Sequence, residues 1–369
     1  MGDRWGAERP PDEAYSRVTR DLFEVFEGLH AGVATIVGRL ERTYDVARRP
    51  ATAAELEPFA GAVEGTVLTP GTPGTTDLLV VYLVAEDCPD VWFGYGPHWR
   101  SGCVGCGCDA CDEDLADAVG AAEDALYGVA SGLTEWVRCS DGGAEVGAEF
   151  GRGGSHIRWL EPDEARVEGR LSDQRRDWSP WRHRDLPPGI QVVPYTHPDV
   201  DRLVADLQQE YVVRYGGVDT TPIHPIELMP PSGLFLLAYD GDQSVAMGGW
   251  RVHVEERSGR VPGERAAEIK RMYVVDAARG RGFAGRVLAA LERTAAAAGC
   301  DFMVLETGEA QPEAIALYRS AGYTQIPPFG HYTDSDQSVH LAKPLGAAAA
   351  DRDSPSAGAS GGPSGARPG

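Results

Sequence analysis

The sequence predicts an α/β protein in which a smaller α+β half precedes a larger mixed sheet with flanking helices. Three features lead to this prediction: alternating strand and helix patterns after Gly189, a glycine-rich turn inside that region, and a cysteine-rich segment in the first half. The chain has 369 residues, enough for two or three domains. Its 42% hydrophobic and 24% charged residues are typical of a soluble globular protein.

The charge of the chain is strongly acidic and unevenly distributed. The formal net charge is −22, and the first 165 residues hold 30 acidic but 12 basic side chains. Acidic surface opposes nucleic-acid binding and favours solubility. The sequence has no run of 18 apolar residues and no apolar signal-peptide core at its start. We therefore expect a cytoplasmic protein with neither a nucleic-acid nor a membrane partner; the pattern favours no particular oligomeric state.

The first half reads as one domain over residues 15–165 after a flexible polar lead-in at residues 1–14. Apolar residues between Tyr15 and Val46 recur at three- and four-residue steps, so we expect one long helix there. The run from Val63 to Ala85 is rich in β-branched residues and broken by a Pro-Gly turn, which predicts two strands.

Four cysteines lie within nine residues: Cys103, Cys106, Cys108 and Cys111. Two CxxC pairs at this spacing can hold zinc, with His98 or Cys139 completing the ligand set. A redox pair is a second interpretation, and simple packing of a tight turn is a third. The odd total of seven cysteines, without a signal peptide, argues against a disulfide framework.

Two further segments are polar and lack an apolar period. Residues 166–188 are rich in arginine and proline, which predicts a linker that Trp178 and Trp181 anchor on a domain face. Residues 346–369 are of low complexity, without aromatic or branched apolar side chains, which predicts a disordered tail.

The second half, residues 189–345, alternates strand and helix patterns. An Asp-Gly turn at Asp240 and Gly241 between two apolar runs predicts a hairpin. We expect helices at Asp199–Tyr215 and Glu313–Ala321, and strands at Ile190–Val193, Gly233–Tyr239, Ser244–Val254, Met272–Val275, Phe302–Glu306, Tyr323–Ile326 and Ser338–Leu341.

The stretch from Glu268 to Gly285 is a strand, a glycine-rich turn and the start of a helix. The first amides of a helix lack intrahelical partners and carry partial positive charge, so this geometry predicts an anion site. Glycines allow close approach of a phosphate, and Arg279 and Arg281 add charge. A P-loop is excluded, because Gly-Lys-Ser/Thr is missing from the turn.

The turn has the pattern Arg-x-x-Gly-x-Ala (Arg279, Gly282, Ala284), which resembles the acetyl-CoA loop of the GCN5-related N-acetyltransferases, the GNAT family. The hairpin and the later segment LETGEAQPEAIALYRSAGY agree with that family in order and spacing. The first half, through YSRVT and CGCDACDE, resembles an uncharacterised family of actinobacterial proteins and carries no implied activity.

The GNAT resemblance implies roles for individual residues. Tyr318 occupies the place of a general acid that protonates the leaving CoA thiolate, and Glu268 that of a general base. Gln311 replaces the family's usual Asn, which weakens the expected side-chain contact to CoA. The implied CoA-binding residues are Met272, Tyr273, Val274, Arg279, Gly280, Arg281, Gly282, Phe283, Ala284 and Gln311.

Two functions from different classes follow from these patterns. The first is an acetyl-CoA-dependent N-acetyltransferase that acts on an amine acceptor, with the loop Thr220–Pro231 on the acceptor side and Glu227 attracting a cationic amine. The alternative is a CoA-binding regulatory module without turnover, in which the first half binds a metal or a protein partner.

Overall fold

The computed structural model describes residues 10–84, 88–96, 99–105, 107–140, 143–151, 155–160, 172–184, 186–253, 261–263 and 265–346. His98, Cys106, most of the lead-in at residues 1–14 and nearly all of the tail at residues 346–369 lie outside these ranges. Within them, every helix is too short or too polar to cross a bilayer.

The first half contains two antiparallel sheets that enclose two long helices. Its helices are α1 (Leu22–Val25), α2 (Leu29–Thr43), α3 (Ala53–Leu56) and α4 (Leu115–Ala130). One sheet has the order β1 (Val46–Pro50), β2 (Ala62–Pro70), β3 (Leu78–Val84), β4 (Pro89–Tyr95) and β5 (Trp99–Gly102). The other has the order β8 (Ser155–Leu160), β7 (Gly143–Phe150), β6 (Leu133–Ser140) and β9 (Gln174–Trp178).

The single long helix predicted from Tyr15 to Val46 is wrong, because the chain breaks at Gly28. α1 ends at Val25, and Gly28, with a left-handed φ of 91°, is the N-cap of α2. A short 3-10 turn at Asp12–Ser16 precedes both helices. The apolar residues of this stretch do not form one continuous buried stripe, since Phe23 is 46% exposed while Phe26 and Leu29 are fully buried.

The cysteine-rich segment holds the N-terminal segment against the first half. The fully buried carboxylate of Asp109 accepts hydrogen bonds from the Thr19 amide, the Thr19 hydroxyl and the Arg17 guanidinium, each at 2.9 Å. The Asp109 amide donates to the Arg17 carbonyl at 2.8 Å, and the Ala110 amide donates to the Ala14 carbonyl at 3.1 Å. These bonds explain why the YSRVT and CGCDACDE stretches occur together: they pack on each other.

The predicted linker at residues 166–188 contains a strand. Within it, β9 pairs with β6, from Leu133 opposite Trp178 to Val137 opposite Gln174. Trp181 is 2% exposed in the core of the first half, and its indole Nε1 donates to the Thr76 carbonyl at 3.2 Å. The basic, apolar-poor sequence concealed this edge strand because its arginines face solvent.

The second half is a seven-stranded sheet covered by helices on both faces. Its order is β10 (Ile190–Val192), β11 (Gly233–Asp240), β12 (Gln243–Val252), β13 (Ala266–Val274), β14 (Phe302–Gly308), β16 (Ser338–Pro344) and β15 (Thr324–Gln325). The helices are α5 (Pro198–Tyr215), α6 (Phe283–Ala297) and α7 (Pro312–Ser320). Only β13 and β14 run parallel among these pairs of strands.

The two faces of the sheet follow the alternation of side chains along β11. Leu234 and Leu236 pack with α6 and α7, whereas Phe235 and Leu237 pack with α5. This arrangement confirms the α/β fold with its mixed sheet. At the start of α5 the His197 ring accepts from the Asp199 amide, and Pro198 occupies the first helical position.

The halves meet where the end of α2 and the end of α6 approach each other. Thr43, Tyr127 and His183 from the first half face Trp250 and Thr294 from the second across a small cavity. His183 is 8% exposed, and its ring lies 4.5 Å from that of Tyr44. Burial lowers the pKa of His183 to about 4, so the ring is neutral at physiological pH.

The Asp109 contacts predict a localised loss of stability. Asp109→Ala should lower the free energy of unfolding by about 2 kcal/mol, because the hydrogen bonds of the exposed Arg17 and Thr19 to a charged, buried acceptor are lost. Glu57→Ala, which removes an exposed carboxylate, should change it by less than about 0.5 kcal/mol. Urea denaturation followed by tryptophan fluorescence measures both values, and equal effects would contradict the assignment.

His183 predicts a pH dependence of stability. Because its folded pKa lies below its unfolded value of 6.5, the unfolded chain binds more protons as the pH falls from 6.5 toward 4. The wild type should therefore lose about 2 kcal/mol between pH 7 and pH 5 through this residue. His183→Phe keeps a ring and cannot titrate, so its loss over the same interval should be smaller by that amount. Parallel pH slopes for the two proteins would rule out the proposed linkage.

Candidate functional site

The central feature of the second half is a gap between the parallel strands β13 and β14. Their ladder spans three residue pairs and ends at Glu268 and Val304, although β13 continues to Val274 and β14 to Gly308. A cavity of about 310 Å³ fills the opening, lined by the diverging strands and by side chains from α5, α7 and two loops. Its size is that of a small ligand pocket.

A β-bulge in β13 accompanies the divergence. The register with β12 shifts between Met247 and Gly249, and the extra residue opposite is Arg271, whose φ is 54°. This left-handed conformation is unfavourable for any residue other than glycine and persists only where neighbouring groups hold the residue in place. Asp219 supplies that support by pairing with the Arg271 guanidinium.

Asp219 also ties two loops to the bulge. Its carboxylate accepts from the Tyr332 hydroxyl at 2.8 Å and from the Thr221 amide at 2.8 Å. Arg271 further donates to the Thr221 carbonyl at 3.3 Å. The loops that carry Asp219 and Tyr332 are thereby fixed as walls of the cavity.

Tyr318 lies on α7 at the inner end of the cavity. Its side chain is 6% exposed, and its hydroxyl donates to the sulfur of Met272 at 3.5 Å. Burial raises the pKa of the Tyr318 phenol, which therefore stays protonated at neutral pH. A protonated phenol directed at a soft sulfur atom beside the strand gap is suited to donate a proton.

Glu268 occupies an unfavourable setting for the predicted base. It is 2% exposed, with one oxygen 2.7 Å from Lys270 Nζ and the other 2.9 Å from Arg251 Nε and 3.8 Å from His253 Nδ1. Burial alone would raise the pKa of this carboxyl, but Lys270, His253 and Arg251 together lower it below its usual range. A fully paired carboxylate with a lowered pKa is a weak proton acceptor.

Glu306 is the functional candidate that the sequence analysis missed. Its Oε1 accepts from Lys270 Nζ at 3.1 Å, while Oε2 is buried with no hydrogen-bond partner among the described residues. In the sequence, Glu306 stands out as a charged residue at the end of an apolar strand. Lys270 and Arg271 stand out in the same way as charged residues within β13. The sequence alone could not show that all three converge on one cavity.

The glycine-rich turn has the backbone predicted for an anion site, but its arginines are already paired. Gly280 and Gly282 have φ values of 73° and 80°, and Gly282 caps α6. Arg279 pairs with Glu210 and Asp276, and Arg281 pairs with Asp240 at 2.8 Å. An anion at this turn would meet the backbone amides. Arg279 and Arg281 would have to leave their present partners to contact it.

The other residues predicted to bind the cofactor lie on β13 and at the start of α6. Met272 lies at the gap, Tyr273 faces the Arg279 guanidinium at 5.9 Å, and Val274 ends β13 opposite Ala246 of β12. Phe283 is buried at the first position of α6, and Ala284 follows it.

Gln311 precedes α7 and lines the cavity, where its side-chain oxygen accepts from the Tyr215 hydroxyl at 3.3 Å. Glu227, predicted to attract an amine, instead pairs with Arg251 at 2.7 Å.

The predicted zinc site has no support in the structure. Among the described residues no group of three or more potential ligands surrounds a common point, and Cys106 lies outside those residues. Burial raises the pKa of the Cys103 thiol to about 12, and that thiol lies 3.6 Å from the Asp90 carboxylate. Cys108 is 4% exposed and packs with Ala14 and Ala110, as the third interpretation of the segment, packing of a tight turn, expected.

Comparisons with known proteins match two separate regions of the chain. A model of the acetyltransferase (GNAT) family matches residues 200–323, and a model described as a family of unknown function (DUF6226) matches residues 1–185. An IAA acetyltransferase from Azospirillum brasilense is 39% identical over 112 residues, which are 28% of this chain and 73% of that protein.

Two solved structures cover the same region. A candidate acyl-CoA N-acyltransferase from Klebsiella pneumoniae subsp. pneumoniae MGH 78578 is 28% identical, with a TM-score of 0.34 and coverage of 42% of this chain and 96% of that one. An IAA acetyltransferase from Bacillus cereus ATCC 14579 is 18% identical, with a TM-score of 0.30 and coverage of 42% and 98%. From the family match and the Azospirillum relative, the chain belongs to the GNAT family of acetyltransferases, and its first 185 residues belong to a family of unknown function.

Proposed function

We propose that the second half transfers the acetyl group of acetyl-CoA to an amine that attacks the thioester directly in a ternary complex. The observation that carries this proposal is the cavity at the β13–β14 gap, which joins a protonated phenol, unpaired strand edges and a carboxylate. Membership of the GNAT family supplies the class of reaction.

The cofactor would bind along one edge of β13. The N-cap of α6, Gly282, supplies no side-chain cap, and the first amides of the helix have the polarity that a diphosphate requires. Beyond Glu268 the β13 edge toward β14 is free of the ladder, so an extended pantetheine arm can add to it as a strand does. That path runs from the Gly282 turn, past Val274 and Met272, to the Tyr318 hydroxyl.

The chemistry at the inner end needs three things. A neutral amine must attack the thioester carbon, a backbone amide must stabilise the oxyanion, and the departing thiolate must gain a proton. The gap exposes amides of the bulged strand near Met272, and Tyr318 holds a proton within reach of a sulfur at that position. The loops with Asp219 and Tyr332 form the side from which the acceptor would enter.

Acetyl-CoA binding can be tested at Gly285, the third residue of α6. Gly285 is exposed, and a Cβ atom there meets open space, so variants with a side chain at this position should fold. Acetyl-CoA at a hundred times its dissociation constant should stabilise the wild type by about 2.7 kcal/mol. Gly285→Glu should abolish that shift by repelling the diphosphate, although an acidic residue in the first turn stabilises the helix itself.

Gly285→Gln is the matched control without the charge and should keep most of the shift. A thermal-shift assay of the full chain with acetyl-CoA measures all three proteins. The absence of a shift in the wild type would refute cofactor binding.

Turnover can be tested at Tyr318. Tyr318→Phe removes the proton donor but keeps the ring, so kcat should fall about 100-fold with little change in the dissociation constant of acetyl-CoA. The assay follows thiol release with a panel of primary amines. A wild type that binds acetyl-CoA but releases no thiol with any amine would favour the alternative, a CoA-binding module without turnover.

A further inference from the structure

We propose that Glu306, and not Glu268, holds the ammonium group of the acceptor and removes its proton before attack. This inference rests on the proposed acetyl transfer, and it assigns the acceptor end of the same cavity. It identifies the acceptor as an amine that arrives protonated, since the site offers an unsatisfied carboxylate oxygen to it.

Glu306 is positioned at the gap between β13 and β14. It lies on β14 beyond the last ladder pair at Val304, so its side chain borders the gap and lines the cavity. The Glu306 side chain is 10% exposed, and Oε2 has no hydrogen-bond partner among the described residues. A buried, unsatisfied carboxylate oxygen is costly unless a ligand completes it.

Lys270 leaves one oxygen of Glu306 without a hydrogen-bond partner among the described residues. Lys270 Nζ lies 3.1 Å from Glu306 Oε1 and 2.7 Å from Glu268 Oε1, so one ammonium bridges two carboxylates. The bridge fixes the orientation of Glu306 through Oε1 and leaves Oε2 outside the contact with Lys270. A Cβ atom built at Gly330 would make an ordinary contact of 3.7 Å with that Oε2, so a small group fits beside the oxygen.

The contacts of Glu268 differ from those of Glu306. Both oxygens of Glu268 are taken by cations, and Glu268 is absent from the lining of the cavity that Glu306 borders. Glu268 instead balances Arg251 and Lys270, which positions Lys270 for Glu306. It is a positioning residue in this assignment.

Other titratable groups surround Glu306. Lys270 and Glu268 face it from β13, and Arg251 and His253 reach Glu268 from β12. His340 stands opposite Glu306 in the register of β16, and burial lowers the pKa of His340, so that ring is neutral. From the loop side, Tyr332 lines the cavity and His331 precedes it.

The proton and electron changes balance. The acceptor R–NH₃⁺ gives one proton to Glu306 Oε2, and the nitrogen lone pair then forms a bond to the acetyl carbon. The C–S bond breaks, and its electron pair leaves on the CoA sulfur, which takes the Tyr318 proton. The acylated nitrogen loses its second proton, which restores Tyr318, and Glu306 returns its own proton to water.

Glu306→Gln keeps the shape and removes the base. With the primary amine that gives the fastest thiol release, kcat should fall about 100- to 10,000-fold, and the decline of wild-type kcat toward acid pH should disappear. With hydroxylamine, which is largely unprotonated at neutral pH, the loss should be less than about tenfold, since no proton must be removed first. Acetyl-CoA binding should be unchanged in the thermal-shift assay.

Three comparisons make the test decisive. Glu309→Gln, which neutralises an exposed carboxylate just beyond β14, should match the wild type. Glu268→Gln should lower stability but keep the acid limb of the profile. Glu306→Asp retains a carboxylate, so it should keep that limb with an intermediate kcat, and it serves if Glu306→Gln does not fold.

Each contrary result identifies what fails. An acid limb that persists in Glu306→Gln but vanishes in Glu268→Gln would overturn the assignment. Equal losses with hydroxylamine and with the protonated amine would reduce Glu306 to a structural role and also overturn it. A wild type without thiol release for any amine would instead refute the acetyl transfer itself.

Discussion

The ion pair between Arg271 and Asp219 underlies the architecture of the site. Arg271 sits at a φ of 54°, a conformation that a single strand would not keep by itself. Asp219 holds that residue and, through Thr221 and Tyr332, the two loops that line the cavity. The bulge, the opening between β13 and β14 and the walls of the cavity are therefore parts of one hydrogen-bonded unit. A rigid frame of this kind suits catalysis, because reacting groups must be held in place before the reaction begins.

Charge inside the sheet is organised as an alternating series. Glu227, Arg251, Glu268, Lys270 and Glu306 follow one another from the exposed loop to the cavity, with each neighbouring pair within 3.1 Å. Burying charges is unfavourable unless each finds a partner of opposite sign. Every member of the series has such a partner, and at the inner end Glu306 keeps one oxygen, Oε2, without a hydrogen bond among the described residues.

Patterns along the chain predicted much of the second half but less of the first. The Gly282 turn, the hairpin and the α7 segment each carry local signals, because turns and caps depend on a few neighbouring residues. The site was predictable only in part: Tyr318 and the turn lay in a motif, whereas Glu306 and Asp219 become informative only once distant strands and loops meet. In the first half, Gly28 redirected a helix whose apolar period continued past it. The cysteines gave a zinc-like spacing, although Asp109 between them makes the contacts that hold the segment.

The last residues of the first half close its structure, and this affects how the chain folds during synthesis. Arg184 donates to the carbonyl of Tyr44, 140 residues earlier, and β9 completes a sheet begun at β6. Contacts of such long sequence separation form late and slow the folding of a domain. On the ribosome the first half therefore stays open until almost half of the chain has emerged. The second half, which begins at residue 189, is synthesised only after the residue that completes the first.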